Sequence, residues 1–325
     1  MRKRSVLLAT VALAAVVFTG SAQAQSWPSK PIRIVIGFAA GGPTDVIGRL
    51  VAQDMTATLG QSVVVENKTG ANSLIATETV ARAAPDGYTL LFASLSHNVN
   101  AILLKEKANY QPLRDFAPVN LTAVLPLLLV TQGASPFAAL PDLLAAAKAK
   151  PEEVTYGSAG NGGSAHLAAA LMETQSGAKM THVPFRGNAP ALAEVLAGRV
   201  SFMFYPMIGI ADRVAQKQLK VLAAGTGKRH PDYPDVPTMA EMGFPGFEDT
   251  APWVGLLAPA GTPEAVVARL GHAVNQSIAR PETQERLKAL GAITVGGAPG
   301  DFTDFLQKDW ERWERVIKSA GVKAE

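Results

Sequence analysis

The chain alternates short β-branched runs with stretches whose apolar residues recur every three to four positions. Residues 32–38 (Ile-Arg-Ile-Val-Ile-Gly-Phe) predict a strand, and residues 39–43 are a turn of small residues. Residues 45–59 place Val46, Ile47, Leu50, Val51 and Met55 on one helical face, and Gly60 is suited to end that helix in a left-handed cap. A second strand is predicted over 63–66, a turn-rich loop over 67–73 and a helix over 75–84. Pro85-Asp86-Gly87 reads as a turn, with a third strand over 88–93. Such βαβαβ alternation predicts a mostly parallel sheet with helices on its faces.

The pattern then restarts. Strands are expected over 124–131, 154–158, 180–184, 200–205 and 219–224, with helices from 140, over 165–176 and over 189–197. A glycine-rich loop spans 160–163, and 253–258 reads as a strand leading out of this second unit. Thr262-Pro263-Glu264 opens a helix with Pro in its first turn, another follows over 281–290, and residues 301–318 carry Phe302, Phe305, Leu306, Trp310, Trp313 and Ile317 at helical spacing. That stripe needs a face to cover. The expected fold is therefore α/β with two lobes: a discontinuous first lobe, 25–125 plus 252–325, and a second lobe, 126–251.

Residues 1–24 stand outside this pattern. Arg2, Lys3 and Arg4 precede a run of about thirteen apolar and small residues over 6–18, and Ala22-Gln23-Ala24 follows. This is the layout of a secretory signal peptide cleaved after Ala24. The run is short for a membrane span, which needs about 20 residues. The three basic residues of this segment equal the whole formal charge of +3, so the chain after Ala24 is neutral. No basic tract points to nucleic acid. There are no cysteines, which excludes disulfides, thiolate metal sites and thiol nucleophiles. A periplasmic location follows as an expectation.

Two turns carry the candidate chemistry: residues 38–45 (Phe-Ala-Ala-Gly-Gly-Pro-Thr-Asp) and 156–166 (Tyr-Gly-Ser-Ala-Gly-Asn-Gly-Gly-Ser-Ala-His). Glycine admits a close main-chain approach, and a helix N-terminus presents unpaired N–H groups with partial positive charge. Together they can hold an anion without a basic side chain. Either turn alone serves equally well as a plain connection. Neither has the Gly-x-Gly-x-x-Gly dinucleotide spacing or a Gly-Lys-Ser/Thr P-loop. Ser158 lacks the Gly-x-Ser-x-Gly elbow, and His97, His166, His182, His230 and His272 show no zinc spacing. No catalytic residue, metal or cofactor is expected. His97 and His166 lie in loops at strand ends and are ligand-side candidates.

At these residues the chain resembles a known family, the extracytoplasmic receptors of tripartite tricarboxylate transporters, or Bug receptors. The resemblance rests on Phe38-Ala39-Ala40-Gly41-Gly42-Pro43-Thr44-Asp45, Val65-Glu66-Asn67-Lys68-Thr69-Gly70-Ala71, Ala84-Pro85-Asp86-Gly87-Tyr88, Tyr156-Gly157-Ser158-Ala159-Gly160-Asn161-Gly162, Val183-Pro184-Phe185-Arg186-Gly187 and Pro234-Asp235-Val236-Pro237-Thr238. It extends through Gly255-Leu256-Leu257-Ala258-Pro259-Ala260-Gly261-Thr262-Pro263, so the set runs in order through nearly all of the chain after Ala24.

The resemblance implies a Venus-flytrap fold of type II kind that closes on a small organic carboxylate. It also implies delivery to membrane permease subunits, with a monomeric receptor. Two loops would hold the carboxylate through backbone amides, hydroxyls and bridging waters: Phe38, Gly41, Gly42, Thr44 and Asp45 in one, Ser158, Asn161, Gly163, Ser164 and His166 in the other. The loop Ser94-Leu95-Ser96-His97 matches a position that adds polar contacts, with Ser94 and His97 its candidates. Two departures stand out. Met203-Phe204 is followed by Tyr205, where many members have Asp to meet a ligand ammonium, and Gly163 stands where many have Ser. Tyr205 thus either walls the cleft, favouring an aromatic acid or aliphatic dicarboxylate over an amino acid, or packs beneath Trp253. The other functions open at this point are a signalling receptor and an α/β hydrolase or lyase.

Overall fold

A computed structural model describes residues 27–207, 209–320 and 322; the signal-peptide segment lies outside the described residues. In chain order the elements are β1 (Ile32–Ile36), α1 (Pro43–Leu59), β2 (Val63–Asn67), α2 (Leu74–Ala81), β3 (Thr89–Ser94), α3 (Ser96–Leu103), β4 (Phe116–Val124), β5 (Leu127–Gln132), α4 (Leu140–Ala149), β6 (Thr155–Ser158) and α5 (Ser164–Ser176). They continue with β7 (Thr181–Pro184), α6 (Asn188–Leu196), β8 (Phe202–Pro206), α7 (Ala211–Ala215), β9 (Leu219–Gly225), a 3-10 turn (Phe247–Thr250), β10 (Trp253–Pro259), α8 (Glu264–Ala279), α9 (Pro281–Ala289), β11 (Ile293–Thr294) and α10 (Pro299–Ala320).

Two sheets result, one per lobe. The first is ordered β11-β4-β10-β3-β1-β2 and the second β7-β6-β8-β5-β9. Both faces of the first are buried, which is why β1 reads as a nearly unbroken apolar run. Ile32, Ile34 and Ile36 pack toward α1 and α8, while Val35 belongs to the opposite cluster with Trp253, Phe302 and Trp313.

The sheets are mixed, not mostly parallel. β1 is parallel to β2 and β3, but β10 runs antiparallel to both β3 and β4. In the second sheet β6 is parallel to β7 and β8, while β5 is antiparallel to β8 and β9. The reversed strands are the two through which the chain arrives from the other lobe. Nothing in a strand's own sequence records the direction from which it arrives.

The expected single strand over 124–131 is two, β4 and β5, parted at Leu125-Pro126. The chain passes from the first sheet to the second there, and returns between Thr250 and Trp253. The two crossings touch, with Leu125 N–H donating to Pro252 O at 2.8 Å. Helix α8 packs on α1 and β4; α10 lies along β4 and α3 and also reaches α5 of the second lobe. Its stripe of Phe302, Leu306, Trp313 and Ile317 is buried.

Candidate functional site

Four helices begin at one point between the lobes. A cavity there is lined by Gly42, Pro43 and Thr44 at the start of α1, Leu95 and Ser96 at the start of α3, Gly163 and Ser164 at the start of α5, and Asn188 at the start of α6. Phe38, Asn72, Ser94, Leu125, Ala159, Pro206 and Pro252 complete its wall. None of the four helices has a side-chain cap hydrogen bond at its N-cap residue. The first-turn N–H groups of each helix lack an intrahelical partner and carry partial positive charge, so the cavity is electropositive without a cation. Among the described residues, no charged side chain lines it.

Three buried polar atoms of this wall, Ser96 Oγ, Asn72 Oδ1 and Asn188 Oδ1, have no hydrogen-bond partner. Buried polar groups are rarely left so. The cavity is narrow, with a volume of ≈ 20 Å³. A wider vestibule of ≈ 430 Å³ adjoins it, with Lys107 and Arg186 on its wall.

Residues 47–322 match the family described as "Tripartite tricarboxylate transporter family receptor". The chain belongs to that receptor family. A UPF0065 protein from the tcbD-tcbE intergenic region of Pseudomonas sp. (strain P51) is 40% identical over 315 residues, 96% of this chain and 93% of that protein. Protein BugT of Bordetella pertussis is 34% identical, covering 98% of this chain and 96% of its own. Among solved structures, the periplasmic binding protein BugD aligns with TM-score 0.87 at 34% identity, over 92% of this chain and 100% of that one. R. palustris Rpa4515 with adipate gives 0.87 at 33%, over 91% and 99%. MatC from Rhodopseudomonas palustris with bound malate gives 0.85 at 34%, over 90% and 100%. The chain is thus a two-lobed solute-binding receptor of the Bug type and not an enzyme.

Of the residues singled out from sequence, the receptor brings Phe38, Gly42, Thr44, Ser94, Gly163 and Ser164 to the cavity wall. Asn161 lines the vestibule instead. Gly41 and Asp45 shape the first loop from behind. Asp45 Oδ2 accepts the Gly41 N–H at 2.9 Å, its carboxylate takes Arg49 Nε at 2.9 and 3.0 Å, and Oδ1 accepts Asn67 Nδ2 at 2.8 Å. Burial alone would raise the Asp45 carboxyl, but hydrogen bonds from Arg49, Gly41 and Asn67 outweigh it and hold it below its ordinary value.

Ser158 and His166 do the same for the second loop. Ser158 is fully buried; its Oγ accepts the Gly160 N–H at 3.1 Å and lies 3.0 Å from Gly160 O and 2.6 Å from His182 Nε2. His166 Nδ1 accepts the Gly162 N–H at 3.0 Å, so its proton sits on Nε2. Its ring stacks on His182 at 4.0 Å between centroids. Burial, then the neighbouring His166, pushes His182 down to about 3.

Two candidates do not reach the site. His97 was expected in a loop, but α3 already begins at Ser96 and turns the ring inward between Tyr110 and Phe116, with Nε2 3.2 Å from Pro112 O. Burial lowers it to about 4, so it is a neutral core residue. Tyr205 is sent inward by strand alternation: Phe202 and Phe204 face one core of β8, Met203 and Tyr205 the other, beside α6. Trp253 packs elsewhere, edge-on to Phe302 and Phe305. Tyr205 thus neither lines the helix-start cavity nor packs beneath Trp253; it lines a separate pocket between the lobes with Gly41, Pro43, Val46, Leu192 and Leu290, and Pro206 is the residue of this strand on the cavity wall.

Asn72 and Asn188 were missed, and Ser96 was named only as part of the Ser94-Leu95-Ser96-His97 loop. Gly187-Asn188 ahead of an apolar helix was a visible signal for one of them, since it repeats a glycine followed by a helix start.

Proposed function

We propose that this receptor captures a small carboxylate without an ammonium group, most favourably an aliphatic dicarboxylate, and delivers it to the membrane permease subunits of a tripartite tricarboxylate-type transporter. The observation that carries this is the meeting of four helix N-termini without side-chain caps on a cavity that no charged side chain lines among the described residues. Such a site offers an anion several N–H donors and aligned dipoles, but gives a buried ammonium no carboxylate to pair with, and an unpaired buried charge is costly. The ligands of the solved relatives, adipate and malate, support the same class.

In this reading the protein is exported with cleavage after Ala24 and works in the periplasm as a monomer. The lobes divide as 25–125 with 252–325 against 126–251, and they rotate about the paired crossings at Leu125 and Pro252.

Calorimetry and thermal shift on residues 25–325 with succinate, malate, adipate, benzoate, aspartate and glutamate test the proposal. At a hundredfold excess over Kd a true ligand adds about 2.7 kcal/mol of stability. Dicarboxylates should give that shift and aspartate and glutamate none. Stabilisation by the amino acids alone overturns it.

A further inference from the structure

We infer that Asn72 sets the length of the ligand this receptor accepts, by closing the anion cavity off from the vestibule beside it. Among the described residues, only Phe38, Asn72 and Ala159 line both spaces, and Asn72 is the polar one of the three. Its side chain reaches across the interlobe gap: a Cβ at Gly160, Gly162 or Gly163 would lie 3.5, 3.6 or 3.7 Å from its side-chain atoms. The residue is 8% exposed and Oδ1 has no hydrogen-bond partner.

The backbone is shaped to put it there. Ala71, Asn72 and Ser73 have φ of 45°, 50° and 74°, three consecutive non-glycine residues in the left-handed region. That region is sparsely populated by L-residues and persists where the surroundings enforce it. Asn100 supplies the enforcement. Its Nδ2 donates to Asn72 O at 2.8 Å, and its Oδ1 accepts Asn72 Nδ2 at 3.3 Å. The main chain is thus held independently of the Asn72 side chain, which can be shortened without releasing the loop.

With Asn72 in place, the cavity at the helix N-termini has a volume of only ≈ 20 Å³; beyond the amide lie ≈ 430 Å³ and two exposed cations, Lys107 from the first lobe and Arg186 from the second. Neither cation has an ion-pair partner among the described residues. Removing the amide should join the two spaces and let the far carboxylate of a longer dicarboxylate meet them. This inference rests on the carboxylate function proposed above.

The test is calorimetry with succinate, glutarate, adipate, pimelate and suberate on the native chain and on Asn72→Gly. The native receptor should favour the short end. Asn72→Gly should move the optimum toward adipate or beyond, with about a tenfold gain for the longer acids relative to succinate. Its Tm should hold or rise, since glycine suits positive φ. Asn72→Ser, trimmed but still polar, should move the same way by less. Adding Arg186→Ala or Lys107→Ala to Asn72→Gly should remove the gain. An unchanged order of lengths, with succinate still bound, overturns the role of Asn72 alone. A gain that survives both cation substitutions overturns the far-end contact. Failure of every carboxylate to bind the native chain overturns the carboxylate function and this inference with it.

Discussion

The two glycine turns, one per lobe, share a backbone and differ in what holds it. Gly41 and Gly162 have φ of 78° and 72°. Gly42 and Gly163 cap their helices at φ, ψ of −78°, 166° and −68°, 158°. Gly42 N–H donates to Ala39 O at 3.4 Å and Gly163 N–H to Gly160 O at 3.0 Å. Each turn is then closed from one helical turn ahead, by the Asp45 carboxylate on Gly41 and the His166 imidazole on Gly162. The geometry demands only an acceptor at that position. One lobe supplies an anion braced by Arg49 and Asn67, the other a neutral ring stacked on His182. A local structure can thus recur without a recurring sequence, because what recurs is a donor, an acceptor and two glycines.

The largest expected effect separates the turns by crowding. A Cβ at Gly42 would meet only Ala39 O, at 3.3 Å, whereas one at Gly163 would meet Gly160 O at 3.0 Å with Asn72 and Ala159 close behind. Gly42→Val should therefore lose ligand affinity by about a hundredfold or more while Tm falls by no more than about 3 °C. Gly163→Val should lose affinity and several times as much Tm. Equal thermal losses, read by differential scanning fluorimetry, would break the comparison.

The closing residues come next. Asp45→Ala strands three donors at once and should cost about 3 kcal/mol in urea unfolding. His166→Ala strands the Gly162 N–H and should cost less, about 1 kcal/mol.

Acid should distinguish the lobes further. His182 is held at about 3, below its unfolded value of 6.5. Between those limits the unfolded chain binds a proton that the folded chain refuses, so stability is present above pH 6.5 and is lost as pH falls toward 3. His97 acts in the same direction, down to about 4. Asp309, raised to about 6 by burial, acts oppositely, since its folded form takes up a proton first as pH falls through 6. The difference between native and His182→Phe unfolding curves isolates the second lobe. The native chain should lose roughly a few kcal/mol more than the variant between pH 6.5 and 3.5.

The smallest effects concern the hydroxyls. Thr44→Val and Ser164→Ala each remove one group from the cavity wall and should each weaken binding by about 1 kcal/mol. A large effect from one and none from the other would mean that a single lobe holds the anion.

What was legible in the sequence was what depends on neighbours along the chain. The helical period after Gly42, the glycine pair before each helix and the apolar alternation of Ile32, Ile34 and Ile36 are local, and so are the motifs that carry the family resemblance. What was not legible depends on partners far away. β10 is antiparallel because of the lobe it comes from. His97 turns inward because α3 starts one residue before it, and Tyr205 because Pro206 ends its strand at the cavity. Asn72 and Asn188 become site residues only where four helix starts from both lobes meet, a coincidence of topology that no one segment encodes.

The C-terminal helix adds a consequence of its own. It lies on the first lobe but reaches α5 of the second, where fully buried Leu167 shares an apolar cluster with Trp253, Phe302 and Trp313. If the lobes swing apart about the crossings, Leu167 should leave that cluster and water should reach it. Closing on a polar anion should then bury hydrocarbon well away from the ligand, and burial of that kind gives a negative heat-capacity change. The slope of binding enthalpy against temperature should therefore report on this helix rather than on the ligand, and stay the same from one carboxylate to the next.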